Sequence, residues 1–407
     1  MKQAQVDTVR GRPAPALRRP RHWKSLWRSR RARGILYQLA AIALLLLLVV
    51  FMSGNAAQSL ASRGMQLGLG FLSSEAGFTL AESVIPFSGD SSFLRAFLAG
   101  LANTLWISFV SVIFATILGV LLGMARLSSN WLVSHLSTAY VELFRNTPQL
   151  IQIVFWYTLS TLLPGARQAW GIDGVVFLSN RGLTMAWPAD QTAFSIMWVA
   201  LLVGLLAIYV FSKWADRHRQ RTGRPLPVAA MSLIGLAVIL LATWFMLGRP
   251  TEIDSPRLGG FNFRGGITLS PEFLSLSLGL VLYFAAYISE IVRSGIQSVS
   301  RGQIEAGRAV GLRGGAIYRR IILPQALRVI VPPVTAQYIS LVKTSALGVA
   351  VGYPELFNVT NSIISISGHT LECVMIMGVV YLLLALTIAG LMNLFNRSVA
   401  LRGSVRR

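Results

Sequence analysis

Apolar runs too long for a soluble core dominate this chain. Residues 35–51, from Ile35 to Phe51, carry no charged side chain, and similar runs recur towards the C-terminus. A run near ~20 residues matches the hydrocarbon thickness of a bilayer. Hydrocarbon offers no water to backbone N–H and C=O groups, so each run must satisfy its own hydrogen bonds as a helix. Composition agrees: 54% of the 407 residues are hydrophobic and 13% are charged, whereas soluble domains carry about a quarter charged. The expectation is an all-α membrane protein with about eight transmembrane helices, near 35–52, 98–124, 140–163, 193–211, 228–247, 272–292, 324–345 and 372–395.

The formal charge of +22 raises the question of nucleic acid. Its distribution answers it, because the basic residues sit in short segments between apolar runs, the pattern of the positive-inside rule. The arm 1–34 holds eleven Lys or Arg against Asp7 alone, which puts the N-terminus in the cytoplasm. Alternation then assigns 53–97 and 248–271 outside. Segments 212–227 and 293–323, both rich in arginine, fall inside with the tail that carries Arg397, Arg402, Arg406 and Arg407. All the strongly biased segments agree with one topology. The first run reads as an uncleaved anchor, since its basic region is long and no clean small-x-small cleavage site follows. Cys373 has no partner for an intrachain disulfide and reads as a packing residue.

The most informative segment lies between the sixth and seventh runs. Ser300 and Gln303 have capping-box spacing. Gly311 is placed to take a left-handed backbone, with Leu312 folding back as its hydrophobic partner. A helix of about ten residues follows, too short and too charged to cross a membrane. Glu305 and Arg308 are spaced to pair along it. Pro324 then stands as the first residue of span seven, where its missing N–H costs nothing. A short exposed helix joined tightly to a membrane helix suits force transmission from a cytosolic partner.

The residues Glu305, Ala306, Gly311, Ile321, Leu323 and Pro324 resemble, with spacing intact, the cytoplasmic "EAA" signature of binding-protein-dependent ABC importer permeases. One departure is Gly307, where Ala is usual. The likeness extends to Ala102–Leu105, to Tyr140–Leu150 with its Phe144-Arg145-Asn146-Thr147-Pro148, to Ala286–Ile296, and to Leu323–Arg328 followed by Ile339–Ser345. These stretches are similar to the histidine/glutamine/arginine-type branch of amino-acid permeases.

The resemblance implies a five-helix ABC type I importer (MetI-like) core within 98–396, built from spans two, three, six, seven and eight, with 300–311 as the coupling helix. Span one, 35–52, is then an addition, and 164–270 an insertion holding two further helices. That layout looks like the longer permease of general L-amino-acid transporters. The implied partners are a cytosolic ABC ATPase dimer, a second related permease in a heterodimer, a periplasmic amino-acid-binding protein and the lipid bilayer of the bacterial inner membrane.

The chain carries no G-x-x-x-x-G-K-[ST] loop, so ATP and Mg belong to the partner ATPase, and no cofactor is expected on this chain. Its four histidines are scattered, which argues against a metal site. Ser340-Leu341-Val342-Lys343 matches S-x-x-K, but S-D-N and K-T-G are absent and the match lies in an apolar run, so no catalytic residue is assigned.

Ionisable and polar residues inside spans are expensive and ask for a reason. Lys343 and Thr344, near the outer end of span seven, either line the cargo path or reach the headgroups. Asn103 and Thr104 either meet cargo or bond across helices. Glu290 is placed to pair with Arg293 or with a neighbouring helix, in a structural or coupling role. Thr147-Pro148 reads as an N-cap followed by proline, and Val331-Pro332-Pro333 as an interruption of span seven; such breaks often border a permeation route. Ala115, Gly119 and Gly123 form a small-residue packing face. The reading is a permease that moves amino acids by alternating access. Its rivals are the same importer with opine or other polar cargo, a passive channel or secondary transporter, and a membrane-bound enzyme.

Overall fold

A computed structural model describes residues 30–61, 68–223 and 226–399. Most of the basic arm, the tail arginines 402, 406 and 407, and Arg224 lie outside the described residues. The chain divides into two compact units, Met1–Leu69 and Gly70–Arg407. Among the described residues, the first contains one helix, α1 (Arg30–Ala61).

In the second unit, α2 (Phe93–Ala125) starts at Ser92, whose hydroxyl accepts from the Arg95 N–H. Next come α3 (Trp131–Asn146), capped by Asn130, and α4 (Gln149–Thr161). Then α5 (Gln191–Thr222) and α6 (Val228–Met246) pair with each other. They are followed by α7 (Pro271–Gln297), the short α8 (Arg301–Ala309) and α9 (Leu323–Thr344). The chain closes with α10 (Leu356–Ser367) and α11 (Thr370–Val399).

Among the described residues, six helical stretches are long and apolar enough to cross a membrane. Two of the eight expected crossings are not among them. For 35–52, α1 runs through the whole expected stretch, and its described apolar part is Leu36–Leu48. The run 140–163 is two helices of 16 and 13 residues, each shorter than a crossing needs. Proline is the cause, since Pro148 cannot donate to the preceding turn and the chain at Thr147 is extended. By contrast, Pro332 and Pro333 lie inside a continuous α9 and do not interrupt it. Packing of α7 and α11 against α9 supports it there.

The fold is also not all helix. Eight short strands flank the α5–α6 pair. Four of them, β1 (Trp170–Ile172), β2 (Val176–Ser179), β3 (Gly182–Met185) and β8 (Ile267–Leu269), form an antiparallel sheet in the order β1-β2-β3-β8. β4 (Trp187–Pro188) pairs with β5 (Ile253–Asp254), and β6 (Arg257–Gly259) with β7 (Asn262–Arg264). These segments are too short to register as apolar runs, and their turns use glycines at positive φ, such as Gly174 and Gly260.

The core centres on α7. Of its most apolar stretch 67% lies inside the protein, against none of α11's and 6% of each of α5's and α6's. Leu276, Leu280, Phe284 and Ile288 of α7 meet Ile107 and Ala115 of α2 in one apolar cluster. The helices approach closely because α2 presents glycine there. A Cβ on Gly119 would stand 2.7 Å from Ile288 Cβ, and one on Gly123 would stand 2.9 Å from the Ser289 carbonyl oxygen. A second cluster joins Phe93 and Phe97 to Leu356, Val359, Ile363 and Cys373. Cys373 is thus a core residue, wholly buried.

Gly119→Val and Gly123→Val should each force α2 off α7, with an expected loss of about 1–3 kcal/mol, typical of overpacking. The thermal midpoint of the purified protein in detergent checks this. Valine at Gly390, where nothing lies within 4 Å, should leave the midpoint nearly unchanged.

Candidate functional site

The segment that follows α7 has a defined shape. Ser300 precedes α8 in extended conformation, but its side chain makes no capping bond, so the expected capping box is not formed. The other end of α8 closes as expected. Gly311 has φ +77°, its N–H reaches the Arg308 carbonyl at 2.9 Å, and the Leu312 N–H reaches the Gly307 carbonyl at 3.1 Å. These are the two bonds of a Schellman motif. Glu305, Ala306 and Arg308 are exposed, and Glu305 and Arg308 do not pair within the described residues.

Only Gly307 of α8 is buried. A Cβ there would lie 2.7 Å from Ile321 Cδ1 and 3.3 Å from Ile317 Cγ1. The departure from the usual Ala is therefore a point of close approach: α8 rests on the helical segment that leads into α9. That segment runs from a turn at Gly314–Ile317 through a π-helical turn, Tyr318–Ile322, directly into α9. Pro324 stands in the first turn of α9 as expected, but helical turns already precede it. The wider turn carries the chain into Pro324, which has no N–H to offer the turn before. Ile321, Leu323 and Pro324 are half-buried along this stretch.

Close by in sequence, Glu290 of α7 is the hub of three arginines. Arg293 Nη2 donates to it at 2.5 Å, Arg126 at the end of α2 bonds it directly, and Arg145 of α3 stands at 3.9 Å. Arg145 also lies over the Tyr287 ring, 5.1 Å from its centre. The expected Glu290–Arg293 pair forms, and the cluster ties α2, α3 and α7 together. Thr147, beside it in sequence, is the C-cap of α3 and not an N-cap. Its hydroxyl donates to Leu143 O and accepts from Gln152 Nε2 at 2.6 Å, while Pro148 leads into α4.

Asn103 and Thr104 are wholly buried. The Asn103 amide donates to the Glu82 and Pro354 carbonyls and accepts from the Val84 N–H. The Thr104 hydroxyl donates to Gly100 O and accepts from the Leu356 N–H. Both residues therefore staple α2 to the segment around Glu82 and to the start of α10. In the same region burial raises the Glu82 carboxyl above the usual carboxylate range. The Ser270 hydroxyl counters that shift and nearby Glu272 adds to it.

Lys343 is exposed in the last turn of α9, without an ion pair among the described residues. The Thr344 hydroxyl bonds back to Ser340 O. Ile330 packs at Gly295, near the end of α7, and from Ile330 to Lys343 the helix rises about 20 Å. The structure thus brings Glu290, Arg293 and the α8 region to one end of the spans, and leaves Lys343, Asn103 and Thr104 at the other.

Three features escaped the sequence reading: the Arg126 and Arg145 partners of Glu290, the packing role of Gly307, and Glu355. Glu355 is wholly buried; it caps α10 by accepting from the Phe357 and Asn358 N–H groups and also accepts from the Tyr381 hydroxyl. An acid just before an apolar helix was the available signal.

Residues 222–401 match the model of the binding-protein-dependent transport system inner membrane component family. The chain is 40% identical over 370 residues to the general L-amino acid transport system permease protein AapQ of Rhizobium johnstonii, covering 91% of this chain and 92% of that one. The chain belongs to this family of inner-membrane permeases. The permease is also 40% identical to the putative amino-acid ABC transporter permease protein YhdX of Escherichia coli, over 91% of itself and 94% of the relative. A solved amino acid ABC transporter with histidines aligns over 75% of the permease and 95% of its own chain, at 20% identity and a TM-score of 0.45. Family membership makes the permease a multi-pass transmembrane subunit of a binding-protein-dependent importer.

Glu290→Gln should remove the charge that compensates Arg126, whose side chain is 11% exposed. The expected cost is about 2–3 kcal/mol, the scale of a hydrogen bond to a charged group. Denaturation of the detergent-solubilised permease measures it, and the loss should shrink when Arg126 is also replaced.

Proposed function

We propose that the permease moves amino acids inward across the bacterial inner membrane by alternating access, driven by ATP hydrolysis on a separate subunit. The observation that carries this reading is α8. It stands exposed, closes on Gly311, and rests through Gly307 on the helix that becomes α9. An ATPase dimer that grips Glu305 and Ala306 would push that helix as one piece through Ile321, Leu323 and Pro324. ATP and Mg stay with the ATPase.

In this reading α8 and both termini face the cytoplasm, as the arginine-rich segments favour. The five-helix core comprises α2, the broken α3–α4 pair, α7, α9 and α11, and residues 164–270 are an insertion. The second permease is a related chain, so the pair is a heterodimer. A secreted amino-acid-binding protein delivers cargo to the opposite face. Amino-acid cargo is favoured by the names of AapQ and YhdX and by the BztB relative of Rhodobacter capsulatus, a glutamate/glutamine/aspartate/asparagine permease 37% identical to this chain. The cargo path borders the Thr147-Pro148 break and reaches Lys343, whose ammonium has no ion pair among the described residues and suits a carboxylate, and Thr344. Asn103 and Thr104 hold the outer ends of the helices together behind it.

Glu305→Ala and Gly311→Val should each cut uptake of labelled amino acid by at least about tenfold in proteoliposomes holding the full importer, and weaken co-purification of the ATPase. A left-handed position is closed to valine. Membrane insertion should persist in both. Undiminished uptake by the two variants, or uptake by the permease alone without nucleotide, would refute the coupling role.

A further inference from the structure

The hairpin β6–β7 has two unlike faces. Phe263 turns to the main sheet and stacks on Phe177, with ring centres 4.7 Å apart. On the other face Arg257 and Arg264 stand directly opposite each other in register. Like charges across an antiparallel pair destabilise it. The arrangement is nonetheless built for: a Cβ on Gly259 would stand 2.7 Å from Arg264 Cγ, so glycine leaves the slot in which that side chain lies. At the tip, Phe261 is 76% exposed. The Arg167 guanidinium lies 4.5 Å from the Phe261 ring centre and its Nε reaches the Gly260 carbonyl. Arg181 lines the same cleft as Arg167 and Phe261.

All four arginines are exposed, and none enters an ion pair among the described residues. The acid beside Arg257 and Arg264 is Asp254, whose Oδ2 accepts from the Gly266 N–H. The hairpin thus presents two arginines on the side away from the sheet and, at its tip, an aromatic ring beside a third, and an anionic partner would relieve the repulsion between Arg257 and Arg264. Guanidinium forks match carboxylates in pairs, and an exposed aromatic beside arginine is the usual make-up of a binding hot spot.

We infer that the β6–β7 hairpin, with Arg167, Arg257, Arg264 and Phe261, is a docking surface for an acidic patch on the secreted solute-binding protein. This rests on the importer reading above, which puts the strands on the outer face and requires a binding protein to land there. It gives the insertion 164–270 a purpose: to widen the landing surface beyond the ends of the core helices.

The test uses the complete importer in nanodiscs with its cognate binding protein. The double charge reversal R257E/R264E should raise the Kd for the binding protein by at least about tenfold, as expected for like charges brought face to face. It should also flatten the salt dependence and leave ATPase activity without binding protein unchanged. R257K/R264K keeps the charge but loses the fork, so its Kd should lie between those of the parent and the reversed variant, which separates lost charge from lost folding. An unchanged Kd in the reversed variant overturns the inference alone. So does a Kd unchanged while the response to phosphatidylglycerol in the nanodisc is lost, which would make the face a lipid contact. Failure of the binding protein to stimulate the unaltered importer would overturn the importer reading, and this inference with it.

Discussion

The close approach of α2 and α7 is the contact on which the rest is hung. Hydrocarbon cannot drive helices together by hiding apolar surface, so association in a membrane relies on close packing and on polar ties. Gly119 and Gly123 supply the first by letting two backbones nearly touch. The Glu290 cluster supplies the second at one end of the same pair, and at the other end of α2 Asn103 and Thr104 tie it to the start of α10 instead. With α7 fixed in this way, α4 and α9 have a central column to pack against.

That column gives α8 a firm base. α8 follows α7 after a short link and leans on the segment leading into α9, so its two attachments are both to helices of the core. The Schellman closure and the buried Gly307 leave little slack between them. A force on the exposed side would be passed to the start of α9 and not lost in a loop. Between α8 and α9 the chain turns at Gly311 and then passes through the π-helical turn at Tyr318–Ile322, and such turns often mark functional sites.

Residues 164–270 pack differently from the helices around α7. α5 and α6 touch each other and present nearly all their apolar surface outward, so they anchor the strands without joining the central packing. The strands are short, turn on glycine and carry exposed arginine and aromatic side chains. Their chemistry is that of a surface made to meet another molecule, whereas α7 is made to be enclosed.

Long apolar runs and arginine-rich links were legible because hydrocarbon thickness and the positive-inside bias act on local composition alone. The short helix before Pro324 was legible because its C-cap is written in a few adjacent residues, Gly311 and Leu312. The roles of individual polar residues were not. Asn103 read either as a cargo contact or as a tie across helices, and its actual partners, residues 82, 84 and 354, are set by the fold. Glu290 showed its neighbour Arg293, but Arg126 and Arg145 are far off in sequence and meet it only through packing. Proline likewise read the same at 148 and at 332–333, yet it broke one helix and not the other. Composition and short spacings therefore decided the class, the family resemblance and the short exposed helix before Pro324. Only tertiary packing decided which charges are paired, which prolines bend the chain and where the short strands assemble, because those outcomes depend on neighbours that no local stretch of sequence contains.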